Sequence, residues 1–129
     1  MHSSLERAAR VSGSGVALLW GDEAVTYAEM EARSRAFAGH LAGLGVGRGD
    51  RVAVMMSNRP EFVVAVHSLS QLGAAAVLIS PAWKAREVGH AVSVAGSRWA
   101  ICDGTTASVL SEVLDERALV DVDGDTAAG

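Results

Sequence analysis

Gly43, Gly45, Gly47 and Gly49 alternate with Leu44, Val46 and Arg48, and Asp50 and Arg51 follow. Glycines at this density can let a backbone close around a phosphate, because its N–H groups reach an anion that side chains would keep away. That chemistry has a required context. The loop must follow a strand and open a helix, so that the anion sits on the helix N-terminus. Here the order is reversed: the glycines close a helical stretch and lead into the apolar run 51–56. Arg48 also stands where G-x-G-x-x-G needs its last glycine. The spacing predicts a left-handed helix cap at Gly45, Val46 folding back towards Leu41, and a turn over Gly47 to Asp50.

The stretch Asp103-Gly104-Thr105-Thr106-Ala107-Ser108 has the better context for an anion, since it follows a strand and opens a helix. It has no lysine to reach a phosphate, however, and Asp103 would repel one. A capped helix start accounts for Thr105 and Thr106, and a ligand site at Asp103–Ser108 is the other reading. His2, His40, His67 and His90 do not stand at metal-ligand spacing from one another, from Cys or from a carboxylate. Packed or solvated roles are expected for them, with His40 on the solvent side of its helix. Cys102 lies inside an apolar strand with no helix N-terminus just ahead, so a buried, inert thiol is expected. A nucleophilic Cys102 would need a histidine brought to it in space. Lys84, the one lysine, sits early in a helix, where a cation gains nothing from the dipole. No residue is assigned as catalytic, cofactor-binding or metal-ligating.

The bulk properties narrow the function classes. A chain of 129 residues is one domain, long enough to bury a core without disulfides or metals. A net charge of -4 with no basic block argues against a nucleic-acid surface. One cysteine cannot form an internal disulfide, and the start MHSSLERAARV is too polar for a signal peptide, so a cytoplasmic protein is expected. The longest apolar stretch, 62–79, is interrupted by His67, Ser68, Ser70, Gln71 and Gly73 and makes a poor membrane span.

The elements that would position these residues follow from periodicity. A short helix is expected over 3–10, then a β-hairpin over about 16–26 around Gly21-Asp22-Glu23. Thr26 and Glu29 have the spacing of a capping box, in which each side chain bonds a backbone N–H of the first turn. Tyr27, Met30, Ser34, Phe37, Leu41 and Leu44 then form one stripe, with Glu29–Arg33 and Glu31–Arg35 pairs on the wet side. Strands are expected at 51–56, 74–80, 98–103 and 118–123. Helices are expected at 58–73 (Asn58, Pro60 and Glu61 as start signals), within 82–96 (Val88, Ala91, Val92 and Ala95 on one face), and at 105–116 with a threonine cap. Four apolar strands alternating with three helices predict an α/β fold: a mainly parallel sheet of about four strands built from βαβ units, preceded by the hairpin. Residues 1–123 would form the domain and 124–129 a disordered tail. Helix 60–72 is apolar round most of its circumference and would want cover on both sides. Its partner would be the rest of a larger enzyme or a second copy of the chain.

TYAEME, LGVGRGDRVAVMMSNRPEFVVAVHSLSQLGAAAVLISP and EVGHAVSVAGSRWAICD resemble, in order and spacing, the N-terminal part of adenylate-forming enzymes. That family includes acyl- and aryl-CoA synthetases, peptide-synthetase adenylation domains and luciferases. Thr26, Tyr27, Glu29, Gly49, Asp50, Arg51, Val52, Asn58, Pro60, Glu61, Gly73 and Pro81 fall on its usual pattern, over about residues 15–123. Met30 replaces the common Leu, and Ser80 a common Asn or Asp. The resemblance implies a parent ligase of fatty acid metabolism. It would use ATP and magnesium to turn a carboxylic acid into an acyl-adenylate, then pass the acyl group to coenzyme A. The family's ATP loop ends in Pro-Lys-Gly, and its adenylation lysine lies in a C-terminal domain. Neither is matched in this sequence, and Gly104–Thr106 only echoes the loop. The chain alone is therefore expected to be inactive and to need no cofactor itself. Two other readings stand: a free-standing partner-binding α/β module, and a small flavodoxin-like domain binding a ligand at the strand ends.

Overall fold

The computed structural model describes residues 16–20 and 23–124. The expected helix over 3–10 and nearly all of the expected tail 124–129 lie outside the described residues. Strands β1 (Val16–Trp20) and β2 (Glu23–Thr26) pair antiparallel, with Trp20 opposite Glu23, as the hairpin reading required. They form a sheet of their own.

Helix α1 (Tyr27–Leu44) starts at Thr26, whose hydroxyl accepts the Glu29 N–H at 3.1 Å. The reciprocal half of the expected capping box differs. Thr26 Oγ1 donates to Glu29 Oε1, so the carboxylate meets the hydroxyl and not the Thr26 N–H. Thr26 is also the last residue of β2, opposite Val16 in the ladder, so its backbone is held by the hairpin. Glu31 and Arg35 pair on the outer side. The buried stripe is Met30, Ser34, Ala38 and Leu41. Leu44, expected on that stripe, is 40% exposed at the last position of the helix. Gly45 closes α1 at φ 106°, and Val46 N–H bonds the Leu41 carbonyl at 3.1 Å. This is the left-handed cap read from the glycine spacing.

The remaining elements are β3 (Arg51–Met55), α2 (Pro60–Gln71), β4 (Ala75–Leu78), α3 (Ala85–Ala95), β5 (Trp99–Cys102), the single-turn α4 (Ala107–Leu110), a 3-10 turn (Glu116–Ala118) and β6 (Leu119–Asp121). The four strands form one parallel sheet in the order β4-β3-β5-β6. Alternation along β3 divides the core. Val52, Val54 and Met56 join Leu41, Ala65 and Leu69 of α1 and α2 on one face. Ala53 and Met55 join Val88 and Val92 of α3 and Leu110 of α4 on the other. Each fully buried Val, Leu or Met contributes ~1.5–3 kcal/mol, so neither layer of helices is dispensable. Val88, Ala91, Val92 and Ala95 do share the inner face of α3, with Val88 and Val92 buried.

Two helices depart from expectation. The N-cap of α2 is Arg59, whose side chain makes no cap bond, with Asn58 one residue outside; Pro60 fills the first turn as expected. The helix expected over 105–116 is regular only at 107–110. Beyond it the bonds are mixed: Glu112 N–H to Val109 and Val113 N–H to Leu110 are tight, Leu114 N–H to Leu110 keeps the helical spacing, and the Ser111 hydroxyl donates to the Ser108 carbonyl. Such local side-chain bonds compete with the helical ladder.

Helix α2 is better covered than its composition suggests. The sheet takes one side and α1 the other, where Ser68 Oγ reaches the Ser34 carbonyl at 2.9 Å. Phe62, Val63, Val66 and Leu72 are half-buried. Among the described residues, the exposed large apolar side chains are Leu44, Leu78, Trp83 and Val94, and α2 contributes none. No described helix is long and apolar enough to cross a membrane.

Candidate functional site

In an open parallel sheet the ligand crevice lies past the C-terminal ends of the strands, where neighbouring connections leave towards opposite faces. Here that point lies between β3 and β5. The chain leaves β3 through α2 on one face and leaves β5 through α4 on the other. Ser57 follows β3, Asp103 follows β5 and Asp123 follows β6, so three strand ends deliver polar residues to one place.

Asp103 is the centre. Its side chain is 1% exposed. Oδ2 accepts from the Ser57 N–H at 2.9 Å and the Ser57 hydroxyl at 2.8 Å. Oδ1 accepts from the Thr105 N–H at 2.9 Å, the Thr105 hydroxyl at 2.6 Å and the Thr106 N–H at 3.2 Å. Burial alone would raise the pKa of this carboxyl. The bonds from Thr105 and Ser57 outweigh burial and hold it well below the usual carboxylate range. Thr106 does not cap α4 with its side chain, as a threonine cap would. Its hydroxyl donates to the Met55 carbonyl at 2.6 Å and accepts from the Asp103 N–H at 3.1 Å, tying β5 to β3.

A second carboxylate closes the crevice. Asp123 takes Arg59 Nη1 and Nη2 at 2.8 Å each and the Gly104 N–H at 3.0 Å. Its pKa is lowered, first by the Arg59 bond and then by the Gly104 N–H. The Arg59 pKa is raised, chiefly by the same pair. Arg59 Nε also reaches Glu61 at 2.9 Å.

The N–H groups of Ser57, Gly104, Thr105 and Thr106 would make a plausible anion cradle, but each already donates to a carboxylate of the chain itself. A phosphate placed there would have to displace Asp103 and meet its charge at close range. Magnesium is no better served. Among the described residues no group of three or more His, Cys, Asp or Glu is placed to hold a metal ion. Asp103 and Asp123 have N–H, O–H and guanidinium donors on their oxygens. The residues described at this crevice therefore fit neither a nucleotide phosphate nor its metal.

Nucleophilic chemistry fares no better. Ser57 donates its hydroxyl to Asp103, but a carboxylate held ionised that firmly is a poor base. Cys102 is fully buried, and burial, followed by the charge of Asp121, pushes its thiol up to about 12. It is the buried thiol expected from its strand position, where few reagents reach the sulfur. His40 is half-buried and stacks on Phe37 with ring centroids 6.1 Å apart, so it is not on the open side of α1 as its helical position suggested. His90 on α3 and Lys84 at the N-cap of α3 are both exposed. The loop 43–50 is a cap and a turn: Asp50 accepts the Gly47 N–H at 2.8 Å, and Gly49 N–H bonds the Gly73 carbonyl.

The sequence reading missed Ser57, Arg59 and Asp123. The available signal was positional, a polar residue within a few positions of the end of each apolar strand, where a parallel sheet converges its loops.

A family profile described as AMP-binding enzyme matches residues 5–128. The long-chain-fatty-acid–CoA ligase of Escherichia coli is 36% identical over 98 residues, which is 75% of this chain and 18% of that ligase. The solved O-succinylbenzoate coenzyme A synthetase (MenE) of Bacillus subtilis, in complex with AMP, superposes with TM-score 0.84 at 30% identity, covering 97% of this chain and 32% of that one. The N-terminal domain of FACL13 from Mycobacterium tuberculosis superposes with TM-score 0.87 at 30% identity, covering 98% of this chain and 34% of that one. This chain thus spans about a fifth of the curated ligase and a third of the two solved chains. The match runs through the capped hairpin–helix start and all four parallel strands, and it makes this chain a member of the AMP-binding, adenylate-forming enzyme family, corresponding to the N-terminal part of its ligases.

Proposed function

We propose that this chain is the N-terminal, non-catalytic portion of an acyl-CoA synthetase-like ligase, one that activates a carboxylic acid with ATP and transfers the acyl group to coenzyme A. Its role is architectural: a doubly wound parallel layer on which the rest of the ligase is built. One observation carries this reading. Among the described residues, the four N–H groups that converge at the strand-end crevice, those of Ser57, Gly104, Thr105 and Thr106, are each bonded to Asp103 or Asp123 of the chain itself. Adenylation needs donors or a metal aimed at the charge that develops on the phosphates, and an already filled cradle supplies none. The same observation weighs against a flavodoxin-like ligand site at Asp103–Ser108. The E. coli relative is named a CoA ligase and the B. subtilis one a coenzyme A synthetase, which favours coenzyme A as the parent's acyl acceptor.

Acid-dependent pyrophosphate–ATP exchange is the test. The purified 129-residue chain, offered fatty and aromatic acids with ATP and magnesium, should show no exchange above a no-acid control. Clear exchange that depends on the acid would overturn the non-catalytic reading and leave the family membership intact.

A further inference from the structure

We draw no further inference here: the strongest candidate, the uncharged β4 edge of the parallel sheet with Leu78 exposed on it, carries nothing, because nothing in the structure shows what covers that edge.

Discussion

Arg59 and Asp123, 64 residues apart in sequence, form a two-bond pair with both N···O distances at 2.8 Å, joining the start of α2 to the end of β6. Asp123 adds the Gly104 N–H, so one carboxylate ties together the loops after three strands. The pair is partly exposed, with side-chain accessibilities of 20% and 41%, and solvent screens it. Asp123→Ala is expected to cost about 1 kcal/mol, near the top of the range for surface pairs because the geometry is bidentate. Arg59→Lys should recover little of that, since an ammonium cannot make the parallel fork. Urea melts check both; an unchanged midpoint for Asp123→Ala would show that the clasp contributes nothing.

Asp103 should matter more. Its carboxylate accepts five bonds in a fully buried position, and an amide in its place would turn an N–H group towards donors on one side. Asp103→Asn is expected to cost about 2–4 kcal/mol. A wild-type-like melting temperature for the purified variant would contradict the assignment.

The same carboxyl sets the acid limit. Its folded pKa is depressed, so its contribution is fully present above the unfolded value of about 4 and is lost as pH falls from there through the folded value. Asp123 acts in the same direction but more weakly, because it is exposed to screening. Stability should therefore decline steadily below about pH 4, and Asp103→Asn should flatten that decline. Denaturant midpoints measured from neutral pH downward test it; parallel pH profiles for wild type and variant would sink the idea.

Thr26→Ala should cost about 1 kcal/mol, the usual value of an N-cap. Glu29→Ala should cost only a few tenths of that, because Glu29 bonds the Thr26 hydroxyl and no backbone N–H. The double mutant should lose no more than Thr26→Ala alone. Equal and additive losses would mean that Glu29 has a separate backbone partner.

Cys102 should resist thiol reagents in the folded chain. Burial followed by the neighbouring aspartates lifts the thiol to about 12, so the reactive thiolate is scarce at neutral pH, and the sulfur is out of reach. Labelling with a maleimide should be slow in buffer and fast in urea. Rapid labelling under native conditions would show that β5 opens at its C-terminal end.

The sequence alone determined the elements and the family. Apolar alternation placed the four strands, glycine spacing placed the left-handed end of α1 at Gly45, and Thr26 placed its beginning, because these are local demands of backbone geometry on a few neighbouring residues. The loop 43–50 could likewise be rejected as a phosphate site from its neighbours alone. The crevice was not legible in the same way. Asp103 was visible, but its partners Ser57, Arg59 and Asp123 come from other strand ends, and only the order β4-β3-β5-β6 brings them together. Whether Asp103 repels a ligand or stands in for one depends on which donors surround it, a long-range fact. Tertiary structure likewise shortened the last helix to one turn, moved Leu44 into solvent and covered α2 with α1. In each case what decided the outcome was whether a second element lay against the residue, and a one-dimensional pattern specifies the face a helix wants to bury but not what covers it.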